Sequence, residues 1–235
     1  MSDGEPDARH AAGGASGDGQ KIVVWDVPTR VFHWLAVALV VAAYITARLN
    51  WADWHAAAGY ALLAALLFRL LWGLFGSDTA RFSSFLASPR AAARHLAGAW
   101  RREPDRQVGH NPAGGWMVAL LVALMLGETL SGLYVGNDIA EEGPFSERVP
   151  AALANLIDVL HDRFLWDALI VAVAVHLLAI LAYATVKRHN LLAPMITGRK
   201  LLPPGTPPPR MRNPARALLV LAGSAAAAFA LVKFL

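Results

Sequence analysis

Five apolar stretches, each close to the roughly 20 residues needed to cross a bilayer core, limit what this chain can become. They run from about 28 to 49, 55 to 75, 112 to 135, 161 to 186 and 215 to 235. A soluble fold of 235 residues would leave too little polar sequence to cover them. Hydrophobic residues make up 56% of the chain and charged residues only 16%, against roughly 25% charged in an average soluble domain. The sequence therefore reads as an integral membrane protein. Lipid offers no hydrogen bonds to an open backbone, so the spans must be helical. The expected fold is all-α: a four-helix transmembrane bundle plus a fifth, C-terminal transmembrane helix.

The segments between the spans set domain limits and orientation. Residues 1–20 are rich in Gly, Ala, Ser and Asp and lack an apolar run, which predicts a disordered leader and not a cleaved secretory signal. Residues 21–200 form the main transmembrane domain. Residues 201–214 contain six prolines and read as a stiff linker to the helix at 215–235. The loop after the second span carries Arg81, Arg90, Arg94, Arg101, Arg102 and Arg106. The loop after the fourth carries Lys187, Arg188, Arg199, Lys200, Arg210 and Arg212. Between spans three and four lie Asp138, Glu141, Glu142, Glu147 and Asp158. By the positive-inside rule the N-terminus and both basic loops are cytoplasmic, and the acidic loop is outside. The net charge of +4 is thus a topology signal, and the expected surroundings are lipid and not nucleic acid. No cysteine is present, which excludes disulfides, thiolate-held metals, iron–sulfur clusters and covalently attached haem.

Eight histidines occur. His10, His95 and His189 lie in polar segments and read as solvated surface residues. His33, His55, His161 and His176 lie in the spans or at their ends, where ionisable groups are costly and usually functional. Topology sorts these four into two layers. His33, near the start of span one, lies toward the inner side together with His176. His55 and His161, at the starts of the returning spans, lie toward the outer side. His176 follows His161 by 15 residues, about 22 Å along an axis and about 60° in rotation, so both face one broad side of the fourth helix. Two layers of two histidines, each drawn from different helices, match the needs of two bis-imidazole haems in a bundle core. Taken literally, the span ends leave His33 shallower than His176; an extension of the fourth helix past Val186 would level them.

Several motifs carry a family resemblance. Trp25-Asp26-Val27-Pro28-Thr29-Arg30-Val31-Phe32-His33-Trp34 resembles the opening of bacterial cytochrome b561 and Ni/Fe-hydrogenase b-type cytochrome subunits. His55-Ala56-Ala57-Ala58-Gly59-Tyr60, Phe68-Arg69-Leu70-Leu71-Trp72-Gly73, Ala80-Arg81-Phe82 and Gly109-His110-Asn111-Pro112-Ala113-Gly114-Gly115-Trp116 follow in the family's order. The resemblance covers about 21 to 200; the leader and fifth helix lie outside it. It implies a four-helix domain that binds two haem b groups and exchanges electrons with quinone in the bacterial inner membrane. The four ligand positions it implies are His33, His55, His161 and His176.

Other residues gain expectations from this frame. Arg30, Arg69 and Arg81 lie near the inner ends of spans one and two, where a guanidinium suits a haem propionate; positive-inside anchoring explains Arg81 equally well. Asn111, with His110, sits by the inner layer among Gly109, Gly114 and Gly115, glycines that permit close approach of a ligand such as quinone. Helix capping ahead of Pro112 is the competing role of Asn111. Glu128, well inside span three, stays open between a proton-relay, a haem-supporting and a neutral hydrogen-bonded role. The expected function is electron transfer between quinone and a periplasmic carrier or enzyme subunit, such as a c-type cytochrome, docked on the acidic loop. Alternatives are a self-contained superoxide:quinone oxidoreductase and, from another class, a haem-free transporter or sensor using intramembrane His and Glu128.

Overall fold

The computed structural model describes residues 19–98, 101–136 and 143–234. A short strand, β1 (Gln20–Val23), leads into α1 (Val27–Arg48). That helix starts where it does because Asp26 caps it: Oδ1 accepts from the Thr29 amide at 2.8 Å, and Pro28 occupies the first turn. Asn50, in the left-handed region at φ 56°, turns the chain directly into α2 (Ala52–Phe75). An antiparallel pair of spans results.

Two short helices, α3 (Phe82–Phe85) and α4 (Pro89–Ala97), follow on the side of the bundle that carries the basic loops. Helix α5 (Pro112–Ser131) is capped by Asn111, whose Oδ1 accepts from the Gly114 amide at 2.7 Å. The fourth span is one helical run of 37 residues, Ala151–Lys187. It comprises α6 (Ala151–Val159), a π-helical turn (Leu160–Leu165), α7 (Trp166–Ala182) and a second π-helical turn (Tyr183–Lys187). Then come α8 (Leu192–Thr197), β2 (Arg199–Leu202) and α9 (Pro214–Phe234).

Helix α2 is the most buried span, flanked by α1, α5 and α9, while α5 packs on α7. The largest buried cluster joins Phe32, Leu62, Leu66, Trp72, Val122, Met125 and Leu169, one stripe from each core span. Among the described residues, five helices are long and apolar enough to cross a membrane, so the expected multi-span helical fold is observed.

Three expectations need correction. The fourth span starts near Ala151, ten residues before His161; the polar Asp158, His161, Asp162 and Arg163 concealed its continuation. It ends at Lys187, where Arg188 takes the left-handed conformation, so no further extension levels His33 with His176. Helix α8 lies over the first turns of α1: Arg30 Nη1 donates to the Ile196 carbonyl and Trp34 Nε1 to that of Met195. Lastly, the proline-rich segment, expected as a stiff linker, is also docked on the bundle. Its first two residues pair in β2 with β1 (Leu202 with Gln20, Leu201 with Lys21). Further on, the Arg210 and Arg212 amides donate to Asp78 Oδ2 and Ser77 Oγ, both at 3.0 Å. The sheet also takes Gln20 from the proposed leader; residues 1–18 lie outside those described.

Candidate functional site

The structure gathers the four span histidines into two pairs, one toward each end of the bundle. At the end opposite the basic loops, His55 and His161 face each other with ring centroids 6.3 Å apart and planes at 84°. His55 sits in the first turn of α2, and its Nδ1–H donates to the Ala43 carbonyl of α1 at 2.9 Å. His161 sits in the first π-helical turn, a local widening common at functional positions. Its Nδ1 is 2.9 Å from Glu128 Oε2, 3.0 Å from Ser131 Oγ and 3.1 Å from the Glu128 carbonyl. Gly132 permits this approach, since a Cβ there would stand 3.1 Å from His161 Cε1.

Both Nδ1 atoms are thus committed to protein oxygens, which leaves Nε2 of each ring for a metal. A metal-bound histidine normally donates its other nitrogen in this way, fixing tautomer and ring orientation. The ring separation is one that a single metal spans with nitrogen bonds of about 2 Å on each side. These residues fit a metal-centred group held between two imidazoles.

At the basic end, His33 of α1 and His176 of α7 lie close enough for their charges to interact. Here no protein oxygen backs the ring of His33: its Nδ1 is buried without a partner. Helix α1 meets α7 through Tyr44, stacked on Trp166 with ring centroids 5.4 Å apart, while α2 packs on α5. His110 joins this end. Its ring is tilted between Trp25 (centroids 4.5 Å apart) and Phe85 (4.7 Å). Burial first, then the charges of Arg69, His176 and His33, push its pKa down to about 3. His110 is therefore a neutral ring at any physiological pH.

The arginines are more engaged with protein than the sequence indicated. Arg69, only 2% exposed, donates Nη1 to the Ala80 carbonyl at 3.1 Å and lies 4.8 Å over the Phe82 ring. Arg30 holds α8 through the Ile196 carbonyl, while its Nε is buried without a partner. Arg81 pairs with Asp78 and donates Nε to the Gly76 carbonyl, as an anchoring residue would.

The glycines beside Asn111 serve close protein contacts: a Cβ on Gly115 would meet the Phe85 carbonyl oxygen at 2.4 Å, and one on Gly109 would touch Thr79. Asn111 caps α5 and also donates Nδ2 to the Tyr183 hydroxyl at 2.9 Å. That hydroxyl, 2.5 Å from His95 Nε2, has its own hydrogen free to donate there. Burial, then the Lys187 ammonium, lowers the His95 pKa, which suits an accepting ring nitrogen. Sequence reasoning missed Tyr183, one aromatic residue at the end of an apolar run, and took His95 for a solvated residue. His189 is likewise engaged, with Nε2 donating to the Glu103 carbonyl at 2.9 Å and Nδ1 3.8 Å from Asp105.

These paired imidazoles stand in a chain most of which matches a single family. The model of the prokaryotic cytochrome b561 family covers residues 24–198. The chain belongs to this family. It is 26% identical to a probable Ni/Fe-hydrogenase B-type cytochrome subunit of Bradyrhizobium diazoefficiens, a match covering 85% of this chain and 95% of the relative. A protein of the same name from Azotobacter chroococcum is 22% identical, over 79% of this chain and 94% of its own length. A third, from Azotobacter vinelandii, is 23% identical with the same coverage. No solved structure matches the chain. As a prokaryotic cytochrome b561 with five apolar helices, it is a multi-pass membrane protein of electron transport that uses b-type haem. The haem-free transporter reading is set aside on that ground.

Proposed function

We propose that this cytochrome b561 carries electrons across the bacterial inner membrane between the quinone pool and a periplasmic redox partner. Two b-type haems would serve, one held by His33 and His176 and the other by His55 and His161. Haem supplies reversible one-electron chemistry, while the protein sets ligation, charge and solvation. The observation that carries the reading is the His55–His161 pair, 6.3 Å apart with both Nδ1 atoms held by protein oxygens. The proximity of His33 and His176 supports a second site. Arg30 and Arg69 bring positive charge to the basic end, suited to the propionates there.

In this reading Asn111 receives quinone at the basic end, on the cytoplasmic side. Its cap and its bond to Tyr183 hold the amide rigid. The Tyr183–His95 contact then links the quinone region to α4, from which protons are supplied. At the other end the partner docks on the acidic segment. Exposed Glu147 is part of it, while Asp138, Glu141 and Glu142 lie outside the described residues. The partner is a c-type cytochrome or the subunit of a redox enzyme; the names of the relatives favour a hydrogenase complex.

Proteoliposomes test this function. With a quinol analogue in the bilayer and a membrane-impermeant acceptor in the medium, the wild-type protein should reduce the acceptor, and His55→Ala should not. Absence of transfer with the haem-loaded wild type refutes it.

A further inference from the structure

Glu128 is the one carboxylate of α5, in its last turn, and its surroundings are unlike those of a solvated acid. It is 9% exposed. Its Oε2 lies 2.9 Å from His161 Nδ1, and its Oε1 is buried with no hydrogen-bond partner. When Nε2 of an imidazole binds a metal, the ring proton is on Nδ1, so this nitrogen donates and Glu128 accepts. An anionic acceptor draws that proton toward itself and makes the ring a stronger electron donor to its metal, the means by which outer partners tune metal sites. More electron density favours the oxidised metal and lowers its reduction potential. Of the three oxygens around Nδ1, only Oε2 belongs to an ionisable group; the others are the Glu128 carbonyl and the Ser131 hydroxyl. His55 has only the neutral Ala43 carbonyl, and His33 Nδ1 has no partner.

We propose that Glu128 is a positioning and tuning residue, whose negative charge acts through His161 to lower the potential of the haem at the acidic end. The proposal rests on the ligation reading above. Its consequence is local: the acidic-end site is a stronger reductant than it would be without that charge.

A spectroelectrochemical titration of the purified, haem-loaded protein tests this. Glu128→Gln keeps an acceptor oxygen but removes the charge, and should raise one midpoint while the other stays fixed. Glu128→Asp keeps the charge but draws it back by one methylene, and should raise the same midpoint by less. Ser131→Ala removes only a neutral contact and should leave both where they are. Wild-type midpoints in Glu128→Gln overturn the proposal. Should that variant fail to take up both haems, Glu128→Asp decides, and an unshifted midpoint there overturns it equally. His161→Ala separates this from a failure of the ligation reading: two retained haems refute ligation, whereas a lost haem with unmoved Glu128 midpoints refutes only the tuning.

Discussion

Asp26 fixes the level at which α1 begins, and with it the height of His33 seven residues later. It is 6% exposed and uses both carboxylate oxygens: Oδ1 accepts from the Thr29 amide at 2.8 Å, Oδ2 from the Trp72 indole N–H at 3.0 Å. Asp26→Ala removes the helix cap, a loss of about 1 kcal/mol. It also strands the N–H of Trp72, which is 1% exposed, at a further cost of about 1–3 kcal/mol. The combined loss, about 2–4 kcal/mol, corresponds to a Tm lower by roughly 5–15 °C for a chain of this size. Asp26→Asn keeps one acceptor oxygen, so it saves the cap or the indole bond but not both, and should fall between. Thermal unfolding in detergent, followed by circular dichroism and by loss of haem absorbance, measures both variants. An unchanged Tm in Asp26→Ala refutes the reasoning, and so does a ranking with Asn below Ala.

Four further outcomes are expected. Asn111→Ala should retain both haems yet slow their reduction by a quinol analogue; unchanged stopped-flow rates would leave Asn111 as a cap alone. Truncation after Pro209 removes α9 and the Ser77 and Asp78 contacts of the proline-rich segment, so Tm should fall while haem content by absorbance stays at the wild-type level. His110, with its pKa depressed from 6.5 to about 3, contributes stability that is intact above pH 6.5 and is lost as pH falls from there toward 3. The loss is about 2 kcal/mol by pH 5; the Tm difference between pH 7 and pH 5 should therefore shrink in His110→Phe. Neutralising Glu141, Glu142 and Glu147 together should slow electron exchange with a basic periplasmic carrier and weaken its salt dependence, with both haem spectra unchanged.

The spans and the four histidines were legible because their signals are local. Hydropathy over 20 residues marks a span, and helical direction alone places His55 and His161 at one end of the bundle. What could not be read depends on contacts between distant segments. The pairing of Gln20–Val23 with Arg199–Leu202 joins strands about 180 residues apart, each too short to announce itself. Glu128 and His161 were both visible, but their contact follows from the register of α5 against the fourth span and from a π-helical turn that no periodicity encodes. The glycines near Asn111 belong here too: Gly115 admits the Phe85 carbonyl of α3 and Gly109 the Thr79 side chain, contacts set by distant segments.

The most direct test of the two-site account is the haem content per chain of the purified protein and of its four histidine variants. The account predicts two b-type haems per wild-type chain. His55→Ala and His161→Ala should each lose the same one, and His33→Ala and His176→Ala the other, with the remaining spectrum largely intact. A single haem in the wild type, or two retained in His55→Ala or His161→Ala, contradicts it.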